Sequence, residues 1–112
     1  NMKKREQLEI NELVVKKYEE AIVELRQWQT KNPYIARLRY CNAWVLETHN
    51  YYFLQSYNTI VAFIDKKDDV LYDVLRLVYG YTSTSAQHIA KFSSDYSRTW
   101  TSEAVRYTWR EV

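Results

Sequence analysis

The chain has 112 residues, with 16 Lys and Arg against 14 Asp and Glu, a formal net charge of +2, and 46% apolar residues. One Gly, one Cys and two His exclude glycine-rich phosphate loops, an internal disulfide and a closed structural zinc site, each of which needs several such residues. The size and balance fit one globular domain able to bury a core of its own, and the charge is too small to imply a polyanionic partner by itself.

Residues 3 to 31 contain no Gly or Pro and are rich in Glu, Lys, Leu and Gln, side chains that lose little freedom in a helix. Leu8, Val15, Tyr18, Ile22 and Leu25 recur in steps of three and four, with Val14, Ala21 and Trp28 beside them. Glu12, Lys16, Glu19, Glu20, Glu24 and Arg26 fall on the other face. The spacing predicts an amphipathic helix lying on a sheet. The helix should end near Thr30, because Asn32 precedes Pro33 and is pushed out of helical geometry. A heptad pattern persists for about two repeats, short of the three or four of a coiled coil; homodimerisation through this helix is the alternative. The start, Met2 to Gln7, turns acidic and amphipathic and gives no apolar signal core. The longest plain apolar run, Ile60 to Ile64, is far below the ~20 residues of a membrane span. A cytoplasmic protein without membrane contact is expected.

From residue 36 the period changes. Leu38, Tyr40, Trp44 and Leu46 share one parity against Arg37, Arg39 and Glu47, predicting a strand over about 42–48, while 34–41 could continue as helix. His49-Asn50 reads as a tight turn. Tyr51 to Ile64 is dense in strand formers, with Ser56-Tyr57-Asn58 as a candidate break. The segment from Asp65 to Asp69 reads as a polar hairpin connection. Val70 to Tyr79 reads as a third strand, with a short helix over 69–78 as the alternative, and Gly80 as a change of direction. Thr84 with Gln87 three residues on matches a capping box and opens a helix reaching about residue 95. Ser97 to Ser102 is a polar linker containing Trp100. Val105, Tyr107 and Trp109 alternate with Arg106, Thr108 and Arg110 as a terminal strand. The expected architecture is therefore α+β: a long N-terminal amphipathic helix (1–33), then an α+β domain (34–112). That domain would hold a three-stranded antiparallel meander, a second helix and a C-terminal strand joining the sheet.

Few groupings suggest chemistry. Ser85 and His88 are helical neighbours and could form a nucleophile–base pair, but the hydroxyls there serve capping, and no placed acid or oxyanion device accompanies them. Cys41 and His49 flank one strand and read as a small packed thiol and an exposed turn residue. Asp65, Asp68, Asp69 and Asp73 lack the Gly and closing Glu of a calcium loop. No enzyme activity, cofactor or metal is expected. The unusual feature is 11 Tyr, 4 Trp and 3 Phe. If helices cover only one face of the sheet, the other can present Tyr and Arg to a protein, for which such residues are enriched, or to nucleic-acid bases. The candidate partner-binding residues are Tyr51, Tyr52, Tyr57, Tyr72, Arg106 and Arg110.

Three stretches carry a resemblance: Glu47 to Ala62, including NYYFLQSYNTIVA; Thr82 to Phe92, including TSAQHIAKF; and the ending Tyr107 to Val112. Together they resemble, over about residues 42–112, a small domain of unknown function recurrent in phage, plasmid and integrative-element proteins of Gram-positive bacteria. The N-terminal helix lies outside the resemblance, and no catalytic residue comes with it. It implies a mobile-element setting. The expectation is a non-enzymatic binding protein that inhibits a host defence protein, such as a CRISPR nuclease, by occluding its surface. A nucleic-acid-binding accessory protein using the same aromatic and Arg face is the alternative.

Overall fold

The structure, a computed structural model, describes residues 2–29, 31, 33–99 and 104–112. The expected helix end at Thr30 and the part of the linker holding Trp100 lie outside the described residues. Helix α1 (Met2–Gln29) has 28 residues, about 42 Å at 1.5 Å per residue, nearly the 45 Å length of the whole molecule. It is followed by β1 (Tyr34–Arg37), β2 (Ala43–Glu47), β3 (Tyr51–Ser56), β4 (Thr59–Asp65), β5 (Val70–Asp73), α2 (Leu75–Val78), α3 (Ser83–Tyr96) and β6 (Val105–Thr108).

The six strands form one sheet in chain order. Neighbours are antiparallel except β5 and β6, which run parallel across the connection through α2 and α3. This corrects the expected three-stranded meander. Residues 34–37, weighed above as helix, are an edge strand, because the short Tyr34-Ile35-Ala36 run after Pro33 pairs with β2. The run Tyr51 to Ile64 is two strands, because Tyr57 and Asn58 turn the chain so that Ser56 pairs with Thr59. Both readings of Val70 to Tyr79 hold in part: strand to Asp73, then one helical turn. Helix α3 is capped by Thr82, whose hydroxyl accepts from the Ser85 N–H, and not by Thr84, which is exposed in the first turn.

Both faces of the sheet are covered, which overturns the expected open face of Tyr and Arg. Val14, Ala21 and Leu25 of α1 pack with Leu46, Phe53, Phe63 and Tyr72. Ile89 and Phe92 of α3 pack with Val45, Leu54, Val61 and Ile64 on the other side. A row of facing residues crosses the α1 face from edge to edge: Ile35, Leu46, Phe53, Phe63, Tyr72, Tyr107. The last four rings follow one another at centroid separations of 6.0, 5.0 and 5.9 Å, the contact range of aromatic pairs. Strands buried on both faces lose strict alternation. A register shift adds one residue to β4 opposite Leu54 and Gln55, so Val61 and Ala62 both join the α3-side core, as a bulge allows.

Side chains pin the layers together. Glu24 of α1 accepts from the Thr48 hydroxyl and from the N–H and side-chain amide of Asn50. Burial opposes the charge on Glu24, but these bonds prevail and hold its pKa below the ordinary carboxylate range. Asp69, at the end of the β4–β5 turn, accepts from the N–H groups of Arg98 and Thr99 and the hydroxyls of Ser97 and Thr99. Its pKa is lowered on the same terms, burial again opposing.

Candidate functional site at the hairpin tip and the open edge

The six residues expected to form one binding face are distributed over the molecule. Tyr72 is 3% exposed, and burial, followed by nearby Asp65, pushes its hydroxyl up to about 12; it belongs to the core. Tyr51 is half-buried against Phe53 and Phe63 on the α1 side. Tyr52 is half-buried on the α3 side, 5.0 Å from the Tyr96 ring, with the Lys66 ammonium 4.6 Å above it. Arg106 is exposed but pairs with the buried Asp73 at 2.7 Å. Arg110 follows β6, its main chain held by Asn11. Tyr57, 50% exposed, is alone at the tip of the β3–β4 hairpin.

The backbone at Tyr57 is unusual. Its φ is +54°, the left-handed region that a bulky side chain occupies at a cost and that Asn or Gly adopts readily. Asn58 stands next to it, so the pair is in the less comfortable order. The other positive-φ side chains have clear structural partners: Asp69 in the knot above, and Arg39 in a two-point bridge to Asp95. The Tyr57 ring only leans on the His88 ring, with centroids 5.9 Å apart.

Two depressions flank this tip. On the α3 side a cavity of about 390 Å³ is lined by Ser56, Tyr57, Thr59, Tyr79, Thr84 and Ser85 among others, with no charged residue in its wall. Beneath it the buried Ser56 hydroxyl lies 2.8 Å from Nδ1 of His88 and 2.9 Å from the Ser85 hydroxyl. Burial, and then the charge of Lys91, lowers the His88 pKa and so favours the uncharged ring. The sequence reading linked His88 to Ser85; the hydroxyl that meets its ring nitrogen is Ser56, placed there by the β3–β4 turn. Among the described residues no carboxylate hydrogen-bonds this ring, so the trio satisfies buried polar groups and lacks the orienting acid of a nucleophile relay. Cys41 and His49 lie at opposite ends of β2. Asp65, Asp69 and Asp73 each bind main-chain N–H groups.

On the α1 side a shallower depression of about 270 Å³ is lined by Ile35, Trp44, Leu46, Gln55, Tyr57 and Asn58. Its β1 wall is Ile35, 56% exposed; Tyr34 on the same strand and Tyr40 in the β1–β2 turn are also exposed, at 69% and 97%, but do not line it. Sequence reasoning missed these residues because 34–41 was open to a helical reading. Pro33 followed by two strand formers was the available signal.

A protein-family model, described as "Family of unknown function (DUF8033)", matches residues 23–105. The chain belongs to this family. The match begins within α1, just before Glu24, and takes in β1 to β5, the hairpin tip and His88; Arg106 and Arg110 lie beyond it. No curated protein and no solved structure matches the chain. Among the described residues, no helix is long and apolar enough to cross a membrane, and no group of three or more His, Cys, Asp or Glu is placed to hold a metal ion.

Proposed function

We propose that this protein is a non-enzymatic binding protein of a phage or other mobile element. It acts by occupying a surface of a host protein, with a defence factor such as a CRISPR nuclease as the target class. The observation that supports binding is Tyr57: a half-exposed ring kept at an unfavourable backbone position, between two depressions, one of which it shares with the exposed Ile35. An exposed ring at the tip next to an apolar depression suits a protein contact, where Tyr side chains supply large area at low entropic cost. The mobile-element setting and the target class are supported by the resemblance of residues 42–112. The contact surface proposed is the hairpin tip with the β1 edge. Tyr51, Tyr52 and Tyr72 serve packing and are not part of it.

The test is phage plating on a Gram-positive host whose CRISPR nuclease targets that phage. Expression of this protein should restore plating, and the Tyr57→Asn variant should lose that effect while keeping its melting temperature. Folded, expressed protein that restores nothing removes the CRISPR target. Anisotropy with labelled single- and double-stranded DNA and RNA at two salt concentrations tests the other macromolecule class. Tight binding that falls steeply with salt through counterion release replaces the protein-surface reading with a nucleic-acid one.

A further inference from the structure

We infer that the free edge of β1 is a docking site for an extended, acidic segment of a partner protein, which adds to the sheet as a seventh strand. This rests on the protein-binding reading above and specifies how the partner is held.

The argument begins with main-chain hydrogen bonds. The Leu38 N–H donates to the Ala43 carbonyl, so Leu38 and Ala43 form a bonded pair of the antiparallel ladder. Pairing alternates along such a ladder, and with Arg37 opposite Trp44 and Ile35 opposite Leu46, Ala36 and Tyr34 also turn their main-chain groups toward β2. The N–H and C=O of Ile35 and of Arg37 therefore point away from the sheet, and β1 is its terminal strand. A row of unmatched donors and acceptors at strand spacing is the template for adding an extended chain.

The usual protection of such an edge is thin here. Pro33 precedes it and Arg37 ends it, with no lysine, bulge or inward charge within Tyr34-Ile35-Ala36. Both flanks offer apolar contact to alternate side chains of an added strand: Ile35 and Trp44 on the α1 side, Tyr34 on the other.

Charge selects the occupant. Lys31 and Arg37 are exposed, and among the described residues neither pairs with a carboxylate; Arg37 spends its Nε on the Cys41 carbonyl. The nearby acids are engaged: Asp95 by Arg39 and Glu47 by Lys66. A strand bearing carboxylates meets two uncompensated cations. Antiparallel pairing of β1 with β1 of a second copy would set Arg37 opposite Ile35 and bring no carboxylate to either cation, so a second copy is disfavoured.

The probes are the synthetic peptide acetyl-Glu-Val-Glu-Val-Glu-Val-amide and its Lys counterpart, titrated into isotope-labelled full-length protein and followed by amide NMR and hydrogen exchange. The acidic peptide should shift residues 34–38 and 44 and slow exchange of the Ile35 and Arg37 amides, and the Lys peptide should not. Ile35→Pro removes an outward N–H without touching the ladder to β2 and should weaken binding about tenfold, the upper range for one hydrogen bond. Should Ile35→Pro fail to fold, Arg37→Glu leaves the backbone alone and should shift preference to the Lys peptide. The inference is overturned if Ile35 and Arg37 exchange is unchanged at millimolar acidic peptide, if the shifts fall elsewhere, or if Arg37→Glu leaves the preference unaltered. A silent peptide titration alongside a Tyr57-dependent plating effect would remove the edge and leave the binding reading standing. Loss of the plating effect as a whole would remove that reading independently of the peptide result.

Discussion

At the β6 edge, Gln7 donates its side-chain amide to the Thr108 carbonyl, and Asn11 takes both the N–H and the C=O of Arg110. Side chains of α1 thus occupy the carbonyl at the end of the last strand and both main-chain groups of Arg110 beyond it. At the β1 edge, nothing among the described residues meets Ile35 or Arg37 from outside. The two strands have the same length, four residues each, so strand length does not account for the contrast. What differs is the path of α1, whose N-terminal half passes beside β6 and whose C-terminal half is drawn to the β2–β3 turn by Glu24. A chain that ties down the end of one edge with side-chain amides and leaves the other without such bonds, with exposed apolar neighbours, has kept a surface that most folds conceal.

The most disruptive way to break this comparison acts on both edges at once. Phe63 is fully buried in the middle of the row of facing residues that joins β1 to β6, and its ring contacts Phe53 and Tyr72. Phe63→Ala should destabilise the protein by about 3–5 kcal/mol, the usual cost of emptying a core phenylalanine site. Urea unfolding should then show one transition, shifted to lower denaturant, whether followed by α1 or by the sheet. Two separated transitions would mean that the edges are held by independent cores.

A smaller change loosens only the closed side. Asp69 fixes residues 97–99, the approach to β6, through several charge-assisted hydrogen bonds. Asp69→Asn keeps its shape but weakens them, and should cost about 2 kcal/mol at neutral pH. The pH dependence gives the sign. The folded-state pKa of Asp69 is lowered relative to the unfolded chain, so its contribution is present above the unfolded value and is lost as pH falls through the folded one. Glu24 acts in the same direction. Stability of the parent should decline below about pH 5, and the gap between parent and Asp69→Asn should close over that fall. A gap that stays constant down to pH 2 would mean that the carboxylate charge plays no part.

These partners explain what the sequence could and could not convey. The amphipathic stripe of α1, the turn at His49-Asn50, the hairpin connection over 65–69 and the terminal strand were all legible, because each is set by local periodicity or turn chemistry. The sheet was not, because its central strands are buried on both sides and read as continuous apolar runs, while the short β1 was open to a helical reading. The Val61 bulge also shifts the parity of β4 in mid-strand. The same cause misplaced the site: an aromatic residue reads alike whether it faces solvent or a covering helix, so Tyr72 looked like a surface residue. Tyr57 reads both as a candidate break in a strand run and as one of six candidate contact residues, with nothing to set it apart from the other five. Its position beside His88 and Trp44 depends on pairings across the sheet that no local pattern carries.

The smallest expected effect on stability is the sharpest test of the open side. Tyr57→Asn places a residue tolerant of positive φ at the hairpin tip, relieving strain of about 1 kcal/mol. It also removes a ring that is half-buried against His88, worth roughly 1 kcal/mol by the same scale that gives 1.5–3 for full burial. The two should offset, leaving the urea midpoint within about 0.5 kcal/mol of the parent, while the plating effect is lost. A Tyr that adds nothing net to folding, at a position its neighbour's residue type would occupy more easily, is then explained by what it touches outside the chain. A loss above about 2 kcal/mol would give the ring a different purpose, as the cover that keeps His88 dry and neutral, and would remove Tyr57 from the contact surface.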